Sequence, residues 1–317
     1  MQSKSGDMIV LSGAGMRVLC MPYGSRLAGI WFDGWVHNLV LGSENPTGFH
    51  ADDLQYFGAI VGPVANRISD AQVEIQGETW RMDANEGRNC LHSGVAGLHR
   101  QQWQTLECTT SHVVFGIHLP HGAGGLPGAR DITATYRIEG RTLALEIEAR
   151  SDCETLMNLA HHPYWNLSGQ PTVSEHMLDV AARTFLPTDD VTCPTGEIED
   201  VAGTLYDFTK TRAVPVRDSL DANLCLAEQQ RETEEFAARL SAPNAPTLEI
   251  WTTEPGLQIY NGSGLPTMHL DQTIGPFAGL ALEPQAWPDA PRHPSFPSIL
   301  VSPDTPYRQR TSYHFSI

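Results

Sequence analysis

Ile132-Thr-Ala-Thr-Tyr-Arg-Ile-Glu-Gly-Arg-Thr-Leu-Ala-Leu-Glu-Ile-Glu-Ala149 decides the fold class. Ile132, Ala134, Tyr136 and Ile138 alternate with Thr133, Thr135 and Arg137. After a Glu139-Gly140 turn, Leu143, Leu145, Ile147 and Ala149 alternate with Ala144, Glu146 and Glu148. Successive side chains of a strand point to opposite faces, so period two on both arms of a turn predicts an antiparallel hairpin with one buried face.

The same signal recurs outward from this stretch in shorter pieces. Arg17–Met21, ended by Pro22-Tyr-Gly24, is followed by Leu27–Phe32. Val73–Ile75 and Thr79–Met82 flank Gln76-Gly77, Val113–His118 is another extended run, and Ala237–Leu240 pairs by pattern with Thr247–Thr252 around Ala242-Pro-Asn-Ala-Pro246. Helical periodicity is nearly absent. The best candidate, Glu228–Glu235, is polar all round and reads as a solvated loop or a single turn. Many short strands, with 28 glycines and 22 prolines, predict an all-β chain folded as a large antiparallel sandwich or barrel. No linker, low-complexity tract or repeat divides the sequence, so one domain over residues 1–317 is expected. Gly122–Gly128 reads as a surface loop, because it lacks the strand-before, helix-after setting of a phosphate-binding glycine loop.

The charge is 20 basic against 37 acidic residues, a net −17, with no basic block. That argues against a nucleic-acid backbone or an anionic membrane surface as partner, and leaves a neutral small molecule open. No apolar run approaches the roughly 20 residues of a membrane span, and the N-terminal Met-Gln-Ser-Lys-Ser-Gly-Asp lacks a secretory pattern. The six cysteines (Cys20, Cys90, Cys108, Cys153, Cys193, Cys225) are scattered, with no Cys-x-x-Cys. The expectation is reduced thiols in a cytoplasmic protein, with no thiolate zinc site.

Five stretches carry polar residues in apolar settings. Asn158-Leu-Ala-His-His-Pro-Tyr-Trp-Asn-Leu-Ser-Gly169 places His161 and His162 side by side. On an extended strand only one of them faces a given pocket. Pro163 biases His162 to extended geometry. A histidine held this way is either a proton donor near neutral pH or a hydrogen-bonded core group. Gly58–Ile68 ends an apolar run with Asn66 and Arg67; the guanidinium can fork to a hydroxyl pair or carboxylate, or pair with a structural acid. His92 precedes a turn in Asn89-Cys-Leu-His-Ser-Gly, and Asp221 opens the apolar run Ala-Asn-Leu-Cys-Leu. Glu283 follows Leu280-Ala-Leu and precedes a proline-rich stretch ending at Pro297. Burial there would raise its pKa and make it a better base, unless it pairs with Arg292 or Arg67. A histidine and a carboxylate across one pocket supply an acid and a base. No Ser or Cys has a nucleophile-elbow setting.

Taken in order, these stretches resemble the aldose 1-epimerases (galactose mutarotases) over about Val18 to Phe315. The resemblance rests on Tyr56-Phe-Gly-Ala-Ile-Val-Gly with Ala65-Asn-Arg-Ile68, Asn89 to Gly94, and Asn158 to Gly169. It continues through Phe185-Leu-Pro-Thr, Pro194-Thr-Gly-Glu-Ile198, Gly203 to Phe208, and Thr253-Glu-Pro-Gly-Leu-Gln-Ile-Tyr260. Leu282-Glu-x-Gln285, Pro288-Asp-Ala290 and His293-Pro-x-Phe-Pro297 complete it. It implies a large antiparallel β-supersandwich, a monosaccharide in an open cleft, and catalysis without metal or cofactor by a monomer or homodimer. By position, Glu283 matches the base and His162 the acid. Asn66, Arg67, His92, Asp221 and Gln258 match sugar-contacting groups, with Arg67 and His92 near the ring oxygen. The activity implied is interconversion of the α and β anomers of a free hexose such as galactose or glucose. The chain departs from the family's pattern at Pro63, Pro163, Ala222 and Pro284, and its Leu41–Tyr56 stretch is short, which bears on pocket shape. On residue type alone, an epimerase-like protein for a hexose 6-phosphate or sugar acid, a non-catalytic carbohydrate-binding module and a glycoside hydrolase also remain open.

Overall fold

The structure is a computed structural model and describes residues 8–270 and 273–317. The N-terminal Met1–Asp7 stretch read above lies outside the described residues.

The hairpin forms as the alternation dictates. Arg130–Glu139 and Thr142–Ser151 pair antiparallel, with Ile132 opposite Ala149 and Ile138 opposite Leu143. The inward alternates Ile132, Ala134, Tyr136, Ile138, Leu143, Leu145, Ile147 and Ala149 are all buried, while Arg137 and Glu146 stay exposed. Burying each such Leu or Ile contributes about 1.5–3 kcal/mol. The hairpin lies inside a nine-stranded sheet. On one side follow His112–Leu119 and Gln104–Cys108; on the other, Tyr307–Ser316, Thr247–Thr252, Glu235–Ser241, Met177–Val180 and Arg212–Ala213. The Glu228–Glu235 stretch contains no helix.

A second, six-stranded antiparallel sheet runs in the order Tyr164–Trp165, Leu280–Gln285, Gly256–Tyr260, Asp221–Cys225, Thr184–Leu186, Glu199–Asp200. One hydrophobic core joins the two sheets: Ile132, Leu145 and Ile147 of the first share it with Leu224, Leu257, Ile259 and Leu282 of the second. Of the sandwich and barrel that the strand pattern left open, this is the sandwich, in the supersandwich form that the family resemblance implies. The remaining small sheets include Ile9–Gly13, Met16–Met21 and Arg26–Phe32, which form a three-stranded sheet. The six cysteines are free thiols.

Period two in the six-stranded sheet also decides where the site lies. Ala222, Leu224, Leu257, Ile259 and Leu282 point into the shared core. The alternate residues Asp221, Asn223, Gln258, Tyr260, Glu283 and Gln285 therefore share the opposite face. Register makes Asn223, Gln258 and Glu283 direct cross-strand neighbours. Two departures from the family's pattern thus fall off this face: Ala222 fills core, and Pro284 faces away from the Glu283 side chain. The Pro284 carbonyl accepts from Gln309 Nε2 at 3.0 Å. Its nitrogen points the same way, off the ladder, so a proline breaks no strand-to-strand bond there.

Candidate active site

Above this face opens a cleft of about 350 Å³, lined among others by Tyr56, Arg67, His92, His162, Gln258 and Glu283. That volume is within the range of small-molecule sites. All seven residues singled out by position (Asn66, Arg67, His92, His162, Asp221, Gln258 and Glu283) line this one cleft.

The adjacent histidines divide their tasks. His161 is buried under the sheet, with Nδ1 at 2.9 Å from the Tyr313 hydroxyl and Nε2 at 3.2 Å from the Gly58 carbonyl. His162 turns the other way, into the cleft. Its backbone is pinned on both sides, donating to Ala59 O and accepting from Gly58 N. Gly58 has φ +64°, and a Cβ there would stand 1.9 Å from the Leu27 carbonyl, so only glycine fits.

His162 Nε2 stands 3.4 Å from Glu283 Oε1, with both side chains almost wholly buried. His162 Nδ1 and Glu283 Oε2 have no other protein partner among the described residues. Glu283 therefore pairs with His162, and neither cation considered from sequence takes that place: Arg292 instead donates to Ser69 O and Asp70. Burial, with a smaller push from Asp221, holds the Glu283 carboxyl well above its usual range, and Arg67 opposes it. Burial, together with the Arg26 charge, lowers His162 to about 4. Both directions favour the uncharged arrangement, in which the pair holds one proton and the carboxyl carries it. The charge-separated arrangement, His162 protonated and Glu283 ionised, holds the same single proton.

The groups around the pair are fixed by loops. Asn66 and His92 both adopt left-handed backbone, φ 61° and 51°, at a cost their mutual bonding offsets. His92 N donates to Asn66 O at 3.0 Å, and Asn66 N donates to His92 Nδ1 at 3.1 Å. An Nδ1 that accepts leaves the neutral ring's proton on Nε2. Burial, then the neighbouring His162, His99 and Arg67, keeps His92 well below the ordinary histidine value, so it stays neutral. His92, His162 and Glu283 each bring one ligand atom to within 4.8 Å of the others. Such a set resembles a His₂Glu zinc site. The tautomer weighs against it, because ligation by His92 Nε2 would force a proton onto Nδ1, against the Asn66 N–H.

Arg67 settles one alternative left open by the sequence. Its Nε and Nη2 fork onto the Glu86 carboxylate at 2.6 and 2.9 Å, and Nη1 lies 3.8 Å from Asp221 Oδ2. Gln258 Nε2 donates to Asp221 Oδ1 at 2.6 Å. Asp221 is thus held by a cation and an amide, though burial still raises its pKa.

Sequence reasoning gave no role to two cleft residues, Glu86 and Tyr56, or to the buried Arg26. Glu86 sits in a polar loop with no local signal. Tyr56 was only part of a motif; its ring stacks on His162 at 5.8 Å and packs on His92 at 4.8 Å. Arg26 is wholly buried. Among the described residues its guanidinium has no carboxylate partner; it donates to the carbonyls of Tyr23, Leu54, Gln55, Phe57 and His99, and the bonds to Leu54, Gln55 and Phe57 brace the turn carrying Tyr56. An Arg standing immediately before the predicted Leu27–Phe32 strand was the available signal, since a charge taken into the core there must find partners.

Comparison with known proteins agrees with the geometry. The aldose 1-epimerase family model matches residues 7–314. A galactose mutarotase from Bos taurus is 34% identical over 296 residues, covering 90% of this chain and 85% of the relative. An aldose 1-epimerase from Escherichia coli K12 is 30% identical over 324 residues, covering 96% and 93%. A solved GalM/aldose epimerase homologue from C. elegans superposes with a TM-score of 0.92 at 30% identity, covering 98% of each chain. Galactose 1-epimerase from Lactobacillus acidophilus gives 0.86 at 26% identity, covering 100% and 97%. With the family model spanning nearly the whole sequence and relatives at this identity over most of it, the protein belongs to the aldose 1-epimerase family of isomerases.

Proposed function

We propose that the protein interconverts the α and β anomers of a free hexose such as galactose or glucose, with Glu283 as base and His162 as acid. The observation that carries this reading is the 3.4 Å His162–Glu283 pair, buried at the floor of an open cleft with one further polar atom of each unpartnered among the described residues. In the reacting arrangement Glu283 takes the proton of the hydroxyl on C1. The bond between C1 and the ring oxygen breaks as the C1 carbonyl forms, and its electron pair moves to that oxygen. His162 gives the oxygen its proton. C1 then rotates about its bond to C2, and closure on the other face reverses both transfers.

The pair's single proton suffices for this cycle. Moving it from Glu283 to His162 requires stabilising the carboxylate, which sugar hydroxyls and the nearby Arg67 supply. His92 Nε2–H, held neutral and aimed by its bond from Asn66, would donate to the developing charge on the ring oxygen. Asn66, Arg67, Asp221 and Gln258 would hold sugar hydroxyls. Activity should follow the singly protonated pair, falling in acid as His162 gains a second proton near 4 and in base as Glu283 loses its own.

The test is the rate at which fresh α-D-galactose and α-D-glucose reach anomeric equilibrium by polarimetry, with wild type, Glu283→Gln and His162→Asn beside a buffer blank. Acceleration by wild type alone is expected. Full activity in Glu283→Gln would overturn the assignment of the base.

A further inference from the structure

The cleft carries a strongly one-sided charge. Asp52, Asp53, Glu86 and Asp221 line it around the protonated Glu283 at the floor, and among the described lining residues Arg67 is the one arginine or lysine. The charge of that cation is already matched by carboxylates. Glu86 takes two of its three nitrogens in a bidentate pair, and Asp221 stands 3.8 Å from the third. The next arginine at the rim, Arg100, donates to Asp52 and Gln55. At the floor, Glu283 is 2% exposed and its Oε2 has no protein partner among the described residues. Among the described residues, an anionic sugar entering this cleft would meet carboxylates and only a cation already paired with them. A sugar bearing an ammonium group would meet acceptors on several sides.

Resting on the anomer-interconversion reading above, we propose that the Glu86–Arg67 pair sets the charge class of the substrate. The cleft takes protonated amino hexoses alongside neutral ones and turns away hexose phosphates and uronic acids. Glu86 is the specificity-determining residue. By forking Arg67 it removes the guanidinium that a carboxylate or phosphate would otherwise seek. Its own carboxylate, 38% exposed, leaves acceptor capacity facing the cleft. The ring-opening chemistry is unchanged, because the ammonium is a spectator.

The test compares anomer equilibration of D-galactose, D-galactosamine and D-galacturonate, followed by NMR at about pH 6.5, where an aliphatic amine is protonated and a sugar carboxylate ionised. It uses the full-length wild type and Glu86→Gln, at about 20 mM and about 500 mM salt. In wild type, galactosamine should be turned over, with a KM that rises several-fold at high salt while that of galactose stays flat. Galacturonate should have a kcat/KM at least about tenfold below galactose. Glu86→Gln should narrow the galactosamine-to-galacturonate preference by about tenfold, through KM. The salt response of wild type needs no variant, so it decides the question even if Glu86→Gln fails to fold. Galactose turnover accompanied by equal, salt-insensitive use of galacturonate and galactosamine would overturn this assignment alone. Turnover of none of the three sugars would overturn the anomer-interconversion reading and this assignment with it.

Discussion

The Ile132–Ala149 hairpin and the Asp221/Gln258/Glu283 face are built on the same rule and end differently. In both, residues alternate about an antiparallel ladder, and one set of alternates enters the common core. On the hairpin the other set meets water. Glu146 there pairs with Arg310 at 3.2 Å while both stay about half exposed. On the six-stranded sheet the other set is covered by loops carrying Tyr56, Arg67 and His92. A carboxylate at an equivalent point in the pattern, Glu283, is 2% exposed. Period two decides which residues share a face; what lies over that face decides whether its acids are ordinary or reactive. Burial of ionisable groups works against stability, and the same burial shifts them toward the proton exchange that the chemistry needs.

Substitutions that swap these environments separate the two effects. The largest change should come from Glu283→Gln. Turnover should fall by about 10³-fold, the scale of losing a general base, while urea unfolding at neutral pH shows the variant at least as stable as wild type. Stability should not suffer because the native carboxyl is held above its ordinary pKa and ionises at a penalty. A clear loss of stability would mean that the carboxylate holds the fold.

Next comes the reverse case on the hairpin. Ile147 is wholly buried, and Ile147→Ala should cost about 2–5 kcal/mol by chemical denaturation, with turnover per folded molecule kept.

Third is Glu254, an acid buried away from the cleft with Gln230 Nε2 at 2.7 Å. Burial raises it from 4.5 to about 8, against that one hydrogen bond. The folded state therefore keeps a proton that the unfolded chain releases. Its contribution is whole below pH 4.5 and fades as pH rises toward 8. Glu254→Gln should flatten the decline of melting temperature across that window, and an unchanged slope would remove Glu254 as its source. The smallest effect is expected at Glu146→Gln, within about 0.5 kcal/mol and weaker still in high salt.

The legible part of the site was its residue types and their motif order. His162 and Glu283 stood out because each followed an apolar run, where a polar group needs a reason. The parts that were not legible depend on meetings between segments distant in sequence. His161 and His162 are chemically alike, and the two-faced strand required that they part. Which one met the cleft depended on Tyr313 and Gly58 taking His161. Arg67 looked free to bind substrate or pair with an acid. Glu86, from a loop without pattern, took the Nε–Nη2 edge of its guanidinium. The tautomer of His92 follows from one backbone N–H that a left-handed turn at Asn66 aims at it.

The sequence by itself determined the strand periodicity, the turns and so the all-β class, because side-chain alternation is a local property of the backbone. The tertiary structure alone decided which polar faces were covered, which acid lay 3.4 Å from which histidine, and which cation was already spoken for. Burial and Coulomb interactions depend on distances through space, and those exist only once the sheets and loops have packed.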